Sequence, residues 1–237
     1  NYAYGKSFQA AARRIMAERT PGIELVGDEL IVPFGKVQDF TPFIAKINAS
    51  GADTILTGNW GPDLVRLVKF AAGANLPAQF YTIYGGLTSS VGGYGADAAK
   101  VTMKQINEFH ENHADIPADV SQFAMDYLGK YQDTWDSDRH RWVIDMLSAA
   151  MNKAGSSDAI PVGRALEGMT YQGPLGEVEM RASDHQIQTQ LMVSSLTKDY
   201  SHPISYKGKD FGLAFATDGV ISRADTTLPT TCDMKRP

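Results

Sequence analysis

Apolar residues in the first hundred positions fall into short continuous runs and longer stretches with helical spacing. The runs at 53–57 and 79–83 are short and apolar, which is typical of buried strands in a parallel sheet. Between them, the stretch opened by Pro62 carries a broad apolar helical face, and an earlier helix is predicted from Asp39 to Ala49. Two consecutive strand–helix–strand units of this length predict a parallel sheet with right-handed crossovers.

The chain opens on a predicted helix and not on a strand. Residues 5–19 place apolar side chains on one stripe, and Thr20-Pro21-Gly22 ends that pattern. A segment rich in β-formers follows at 23–32 and predicts a strand. Because a helix in an α/β chain normally follows a strand, we expect further sequence of the same protein ahead of Asn1.

The second half of the sequence has a different pattern. Glycines spread through 85–95 predict a flexible connection, and 101–109 predicts a strand, followed by a polar stretch. Three successive helices are then predicted, at 120–131, 138–154 and 159–169. Further strands are predicted at 175–181, 188–197 and 211–216, with an irregular tail from Thr217. The change to successive helices near residue 115 is the candidate domain boundary.

Composition narrows the classes of function. Lys and Arg number 22 against 27 Asp and Glu, and no basic block is present, which argues against a nucleic acid partner. No apolar run approaches the roughly 18 residues of a membrane span. The single cysteine, Cys232, cannot form an internal disulfide or a cysteine-based zinc site.

Motif searches predict no catalytic residue, no metal and no cofactor. His110 and His113 are three positions apart with no third ligand nearby, so a solvated polar linker is favoured over a zinc site. The glycines at 85–95 match neither the dinucleotide-binding nor the P-loop pattern. Asp184-His185 lies in a polar loop, and no nucleophile–base pair is evident.

Aromatic side chains recur just after predicted strand ends or just before predicted helices. Tyr2 and Tyr4 precede the first helix, Asn59 and Trp60 precede the helix opened by a proline, and Tyr84 follows the next strand. Because the carboxyl ends of parallel strands meet at one edge of a sheet, we expect these residues to converge. Rings with O–H and N–H donors beside helix N-termini suit a small ligand with a carboxylate; packing of loop ends is the alternative.

Three segments carry a family resemblance. NYAYG at 1–5, GNWGPDL at 58–64 and QFYTIYG at 79–85 resemble the second lobe of the branched-chain amino acid-binding proteins, the type I periplasmic solute receptors of ABC importers. Residues 165–176 and the tail 228–237 are also similar to members of that family. The resemblance covers essentially the whole chain and implies an α/β fold of the type I periplasmic-binding-protein class. Such a fold has two Rossmann-like lobes with parallel sheets flanked by helices, and the first lobe is expected to be incomplete here.

The family's organisation implies a division of this chain. Residues 1–110 would form the second lobe without its first strand, and residues 111–198 would complete the first lobe. Residues 199–237 would be a crossing segment and a tail that returns to the second lobe. A missing N-terminal segment of the same protein would supply the rest.

The resemblance also implies ligand contacts. Tyr4 matches a tyrosine that reaches the ligand, Trp60 matches an aromatic wall, and Asn59 and Gly85 adjoin these positions. Tyr84 falls where amino acid receptors place an acid that pairs with the ligand ammonium. An ammonium buried without a carboxylate is costly, so we expect a small organic or aromatic carboxylate, or an amide, in place of an α-amino acid.

The function implied is that of an extracytoplasmic solute-binding component of an ABC transporter, not an enzyme. Such a protein would be periplasmic, or extracellular and membrane-tethered, and would capture an organic acid, aromatic acid or amino-acid-like ligand by hinge closure. A membrane permease would read the closed form. The alternatives are a ligand-sensing domain of a receptor or transcriptional regulator and, behind it, a doubly wound α/β enzyme.

Overall fold

The computed structural model describes residues 2–31, 35–110, 112–113, 115–135, 137–199 and 212–236. Its α-helices are α1 (Ala3–Arg19), α2 (Thr41–Ser50), α3 (Gly61–Gly73), α4 (Thr88–Tyr94), α5 (Ala118–Tyr131), α6 (Arg139–Ala154), α7 (Ala159–Leu166) and α8 (Arg223–Thr226), and a 3₁₀ helix covers Gly95–Lys100. Its strands are β1 (Thr54–Thr57), β2 (Gln79–Thr82), β3 (Thr102–Asn107), β4 (Thr170–Gly173), β5 (Gly176–Met180), β6 (Ile187–Gln188), β7 (Leu191–Thr197) and β8 (Ala214–Ile221).

The strands form two sheets. The larger has the order β1-β2-β3-β7-β8, and the smaller has the order β4-β5-β6. β1, β2 and β3 are parallel, which confirms the two predicted strand–helix–strand units. β7 and β8 extend the same sheet with antiparallel pairing. The result is a mixed α/β fold, and the parallel strands of its larger sheet all come from the first half of the chain.

Local chemistry explains where the early helices begin and end. Asp39 accepts a hydrogen bond from the Thr41 backbone N–H at 2.8 Å, and Pro42 occupies the first turn of α2. Gly51 ends α2 in the left-handed region with φ of +69°, which glycine adopts without strain. α3 begins in the same way, with Pro62 in its first turn.

The principal core lies between the parallel strands and the helices α2, α3 and α4. Its fully buried side chains include Phe40, Leu64, Val68, Phe80 and Tyr94. Smaller apolar clusters lie where α6 and α7 pack on the three-stranded sheet, and one of them contains Trp142, Met146 and Val178. The main core therefore fixes the strand ends on which the predicted ligand residues lie.

The predicted strand at 23–32 is wrong for residues 23–31, which are irregular; Val32 lies outside the described residues. Ile23, Leu25 and Val26 are exposed, and no strand pairs with this segment in the part of the chain that the structure describes. A β-rich pattern becomes a strand only where a neighbour offers a ladder of hydrogen bonds.

The predicted flexible connection at 85–95 is also wrong, because the chain forms α4 and the 3₁₀ helix there. Val91 and Tyr94 are buried, and the Tyr94 hydroxyl donates to the Gly85 carbonyl at 3.2 Å. A Cβ on Gly93 would lie 2.7 Å from Val65 of α3, so the glycine permits close packing of the two helices. Glycine here serves helix contact, not mobility.

The third difference concerns the C-terminal half. The helix expected at 159–169 ends at Leu166 and is followed by β4, which the sequence did not predict. β4 and β5 form a hairpin whose turn uses Gly176 at φ of +136°. β8 runs to Ile221, so the tail predicted as irregular from Thr217 is wrong there; Phe211, the expected first residue of that strand, lies outside the described residues.

The division into lobes stays a prediction. The change to successive helices predicted near residue 115 falls just before α5. β7, which that division counted with the first lobe, lies in the sheet of β1–β3, and residues 200–211 of the expected crossing segment lie outside the described residues. Among the described residues, no helix combines the length and apolar character that a membrane crossing requires.

Candidate functional site

Four aromatic side chains meet at the carboxyl end of the parallel strands: Tyr2, Tyr4, Trp60 and Tyr84, called here the aromatic cluster. The Tyr4 ring centroid lies 6.1 Å from that of Tyr84 and 6.0 Å from that of Tyr2. The Trp60 indole N–H donates to the Tyr2 hydroxyl at 2.9 Å. The three rings predicted to converge therefore lie together, with Tyr2 joining Trp60 to the others.

Helix starts position these rings. Tyr2 and Trp60 are the residues that precede α1 and α3, and both have extended backbones that turn the chain into the helix. The polypeptide thus delivers an aromatic side chain at each of two neighbouring helix N-termini. Those N-termini carry free amide donors and a partial positive charge, which favour an anionic group nearby.

Phe8 also lies beside the aromatic cluster, although the sequence pattern placed it only on the apolar face of the first helix. Its ring centroid lies 6.2 Å from that of Tyr4, one helical turn earlier. A Cβ on Gly58 would lie 3.2 Å from the Phe8 ring, so the loop before Trp60 packs closely on α1. The four-residue spacing of Tyr4 and Phe8 was the available signal.

The Tyr4 hydroxyl is a buried donor. It has no hydrogen-bond partner of normal geometry among the described residues. Burial, with a smaller contribution from the neighbouring Tyr84, raises the pKa of Tyr4 above its ordinary value. Tyr4 is therefore a neutral phenol that can donate to a carboxylate or carbonyl.

The backbone N–H groups of Asn59 and Gly85 form hydrogen bonds within the protein. The Asn59 N–H donates to Thr57 Oγ1 at 3.1 Å, and the Gly85 N–H donates to Thr82 Oγ1 at 3.0 Å. A Cβ on Gly85 would lie 2.3 Å from that same threonine oxygen, so the close approach requires glycine. These contacts hold the two loops in shape, and the ligand contacts of Asn59 and Gly85 stay predictions.

A large groove opens beside the aromatic cluster along the outer edge of β1, and we call it the β1 groove. It has a volume of about 1150 Å³ and is lined by α1, residues 22–31, α2 and β1. β1 is the edge strand, and its outer side pairs with no other strand among the described residues. Apolar side chains face this region from both sides, including Leu56, which is 47% exposed, and Leu30.

The prediction of a solvated linker is wrong at the two histidines, because His110 and His113 are each only 4% exposed. His110 Nε2 lies 2.9 Å from both Ser194 Oγ and Thr217 Oγ1, so the segment that follows β3 is tied to β7 and β8. Burial lowers the pKa of His110 to about 4, with a further contribution from His113. Within the residues described, no group of three or more His, Cys, Asp or Glu is placed to hold a metal ion.

Asp184 and His185 are likewise structural. Arg181 forms a short ion pair with the Asp184 carboxylate, which holds the pKa of Asp184 below its usual range. The same arginine donates to the Leu228 carbonyl and so fastens the C-terminal segment. His185 Nε2 lies 3.7 Å from a Glu167 oxygen, on the outside of the three-stranded sheet's hairpin. The partner of His185 in this contact is a carboxylate and not a nucleophile such as a serine or cysteine.

The fold agrees with what sequence comparison finds. Residues 1–201 match the family described as "Periplasmic binding protein", and the chain belongs to that family. A curated relative from Brucella melitensis, named "Leu/Ile/Val-binding protein homolog 4", is 28% identical over 246 residues. That alignment covers 100% of this chain and 56% of the relative.

Two solved structures show the same fold. A leucine-, isoleucine-, valine-, threonine- and alanine-binding protein from Brucella ovis, in a closed conformation, superposes with a TM-score of 0.83 at 26% identity. The superposition covers 100% of this chain and 60% of the Brucella ovis protein. A solute-binding protein from R. palustris in complex with benzoate gives a TM-score of 0.70 at 16% identity, covering 94% of this chain and 56% of that one. The chain thus spans little more than half of the proteins that it matches.

Proposed function

We propose that this chain is part of the solute-binding component of an ABC importer, which captures a small organic acid between two lobes outside the cytoplasm. The aromatic cluster is the observation that carries the proposal. It presents aromatic rings and phenol hydroxyls beside two helix N-termini at one sheet edge, and the Trp60 indole N–H holds Tyr2 in place. Hinge closure on the ligand would create the form that a membrane permease recognises.

The ligand class follows from what the cluster offers. Tyr4, Trp60 and Tyr84 supply hydrogen-bond donors and apolar faces, and Tyr84 stands where the resemblance expects a carboxylate. A buried ammonium would have no opposite charge from these residues, whereas a carboxylate or a ring would be well matched. An aromatic or small organic carboxylate is therefore the proposed ligand, and the amino acids in the Brucella proteins' names are its competitors.

A thermal-shift screen of the full-length protein tests the proposed function. The panel contains benzoate, 4-hydroxybenzoate and short aliphatic acids, with leucine, valine and alanine as the competing class. A ligand that binds only the folded protein raises the melting temperature, and the stabilisation grows with the logarithm of its concentration over Kd. We expect a rise with at least one carboxylate that lacks an ammonium. A rise confined to the amino acids would contradict the ligand class, and no rise with any compound would contradict the function.

We also propose that an N-terminal segment of the same protein, outside residues 1–237, completes this fold. The β1 groove supports this, because an unpaired strand edge beside exposed apolar side chains suits one further parallel strand. The outer face of α6 supports it as well. Ile144, which is 63% exposed, lies there with Val143, Leu147 and Met151, while the opposite face is already buried.

Hydrogen exchange at β1 tests that second proposal. In the 237-residue chain, the outward-facing amides of Thr54–Thr57 should exchange rapidly, and in the full-length protein they should be protected. The amides of β2 are the matched control, because that strand is paired on both sides in the chain itself. Equal exchange of β1 in the two proteins would show that no strand is added at this edge.

A further inference from the structure

A small cavity lies where the start of α6 meets the turn between β4 and β5. Its volume is about 10 Å³, and its lining includes Asp138, Trp142, Gly173, Gly176 and Thr189. A space of this size accommodates a single water molecule and nothing larger. The cavity is remote from the aromatic cluster, and no role considered so far uses it.

Two buried polar atoms on the residues that line this cavity lack partners. Asp138 is 0% exposed; its Oδ1 accepts from the Trp135 indole N–H at 3.0 Å and lies 3.5 Å from Arg141 Nε. Its second oxygen, Oδ2, has no hydrogen-bond partner among the described residues. The same holds for Nε1 of Trp142, whose side chain is 4% exposed.

The two atoms have opposite hydrogen-bonding roles. A carboxylate oxygen only accepts, and an indole N–H only donates. A cation would be opposed by the indole N–H, and an anion would be opposed by the carboxylate. Water can donate to the first atom and accept from the second within the available volume, since buried waters make two to four such bonds. We propose that one buried water molecule binds in this cavity, donating to Asp138 Oδ2 and accepting from Trp142 Nε1.

This water would satisfy two buried groups at the start of α6, beside the hairpin turn of the three-stranded sheet. Asp138 directly precedes α6, and Gly173 and Gly176 form the hairpin turn of the three-stranded sheet. Two buried polar groups left unpaired would each weaken the fold, whereas a bridging water satisfies both. The water is therefore a constant part of the first turn of α6.

Nuclear magnetic resonance of the ¹⁵N-labelled full-length protein tests the proposal with water itself as the probe. The indole N–H signals of Trp60, Trp135 and Trp142 are resolved and assigned through the backbone. We expect Trp142 Nε1–H to show a cross-peak to the water resonance in nuclear Overhauser spectra. In the rotating frame it should carry the sign of dipolar contact with a long-lived water, opposite to the sign of proton exchange. Trp135 is the matched reference, because its N–H donates directly to the same carboxylate.

A Thr189→Val variant removes the nearby threonine hydroxyl, which could relay magnetisation from bulk water. Persistence of the Trp142 cross-peak in that variant supports a bound water. Absence of the cross-peak in the unmodified chain, or its loss in Thr189→Val, overturns the proposal. A crystal structure gives the second readout: density within hydrogen-bond distance of both Asp138 Oδ2 and Trp142 Nε1 is expected, and a dry cavity contradicts the proposal.

Discussion

At the scale of single residues, Tyr84 separates the two ligand classes most sharply. Its ring lies against Tyr4, and a phenol at this position offers no charge to an ammonium. In the full-length protein, Tyr84→Glu should weaken binding of aromatic carboxylates and strengthen binding of leucine. We expect each change to be at least tenfold, which corresponds to about 1.4 kcal/mol.

Isothermal titration calorimetry with 4-hydroxybenzoate and leucine measures both changes. Tyr84→Phe is the control, because it keeps the ring and removes only the hydroxyl, and it should not create leucine binding. Unchanged affinities for both ligands in Tyr84→Glu would remove Tyr84 from the binding site.

His110 gives a prediction about pH. Its ordinary pKa near 6.5 applies in the unfolded chain, whereas burial lowers it to about 4 in the folded chain. Between these values the unfolded state binds the proton more readily, so the contribution of His110 to stability is complete above pH 6.5 and is lost as pH falls toward 4. From pH 7 to pH 5 the free energy of unfolding should fall by about 2 kcal/mol from this residue.

Urea denaturation at several pH values measures that loss, and His110→Gln should reduce it. His113, whose pKa burial also lowers, contributes in the same direction, so His113→Gln is the companion variant. Asp184 has its pKa lowered by Arg181 and stays ionised over this range, which leaves the histidines as the source. An identical pH dependence in His110→Gln would refute the assignment.

Residue positions at the site were predictable where topology alone decides them. The rule that parallel strands end at one edge predicts that Tyr4, Trp60 and Tyr84 lie near one another; the Tyr4 and Tyr84 rings are 6.1 Å apart, and Trp60 is joined to them through Tyr2. The link made by Tyr2 depends on a hydrogen bond between two side chains, and sequence spacing cannot specify such a bond. The same limit hid the cavity between Asp138 and Trp142, since it depends on packing in three dimensions.

At the scale of elements, α4 shows how glycine can serve close packing. Gly93→Ala would place a Cβ 2.7 Å from Val65 Cγ2, inside the distance that real contacts reach. We expect a loss of about 1–3 kcal/mol in the free energy of unfolding, which is typical of overpacking.

Gly129→Ala is the matched control for that prediction, because nothing lies within 4 Å of its Cβ position in α5. Alanine should stabilise the chain there by about 0.5–1 kcal/mol through helix propensity. Chemical denaturation of both variants measures the contrast. Equal effects of the two substitutions would show that α4 does not pack tightly on α3.

Helices with strong periodicity and caps were predicted nearly to their ends, whereas strands depended on their neighbours. α2 and α3 carry their own start signals, and β1 and β2 are short runs rich in β-formers, although β1, predicted as buried, is a largely exposed edge strand. Residues 23–31 have the composition of a strand but no described partner, so propensity alone did not decide their state. β4, Thr170–Gly173, was not predicted because its sequence TYQG contains no aliphatic residue that would mark a strand.

At the scale of the whole molecule, two exposed surfaces have features that proteins usually bury. The edge of β1 is unpaired beside the β1 groove, and α6 is apolar on both faces. Soluble domains seldom leave such surfaces uncovered. Together with the 56% of a Brucella relative that the chain spans, they support the proposal that further sequence of the same protein packs here.

The central claim is that the aromatic cluster forms one wall of a ligand site between two lobes. Calorimetric titration of the full-length protein and its Trp60→Ala variant, with the best carboxylate from the thermal-shift screen, tests it most directly. Trp60 is 38% exposed, so its removal should leave the fold intact, and Trp60→Phe should retain most of the affinity. We predict at least a tenfold rise in Kd for Trp60→Ala with an unchanged melting temperature of the free protein. Equal affinity in the folded Trp60→Ala variant would contradict the account.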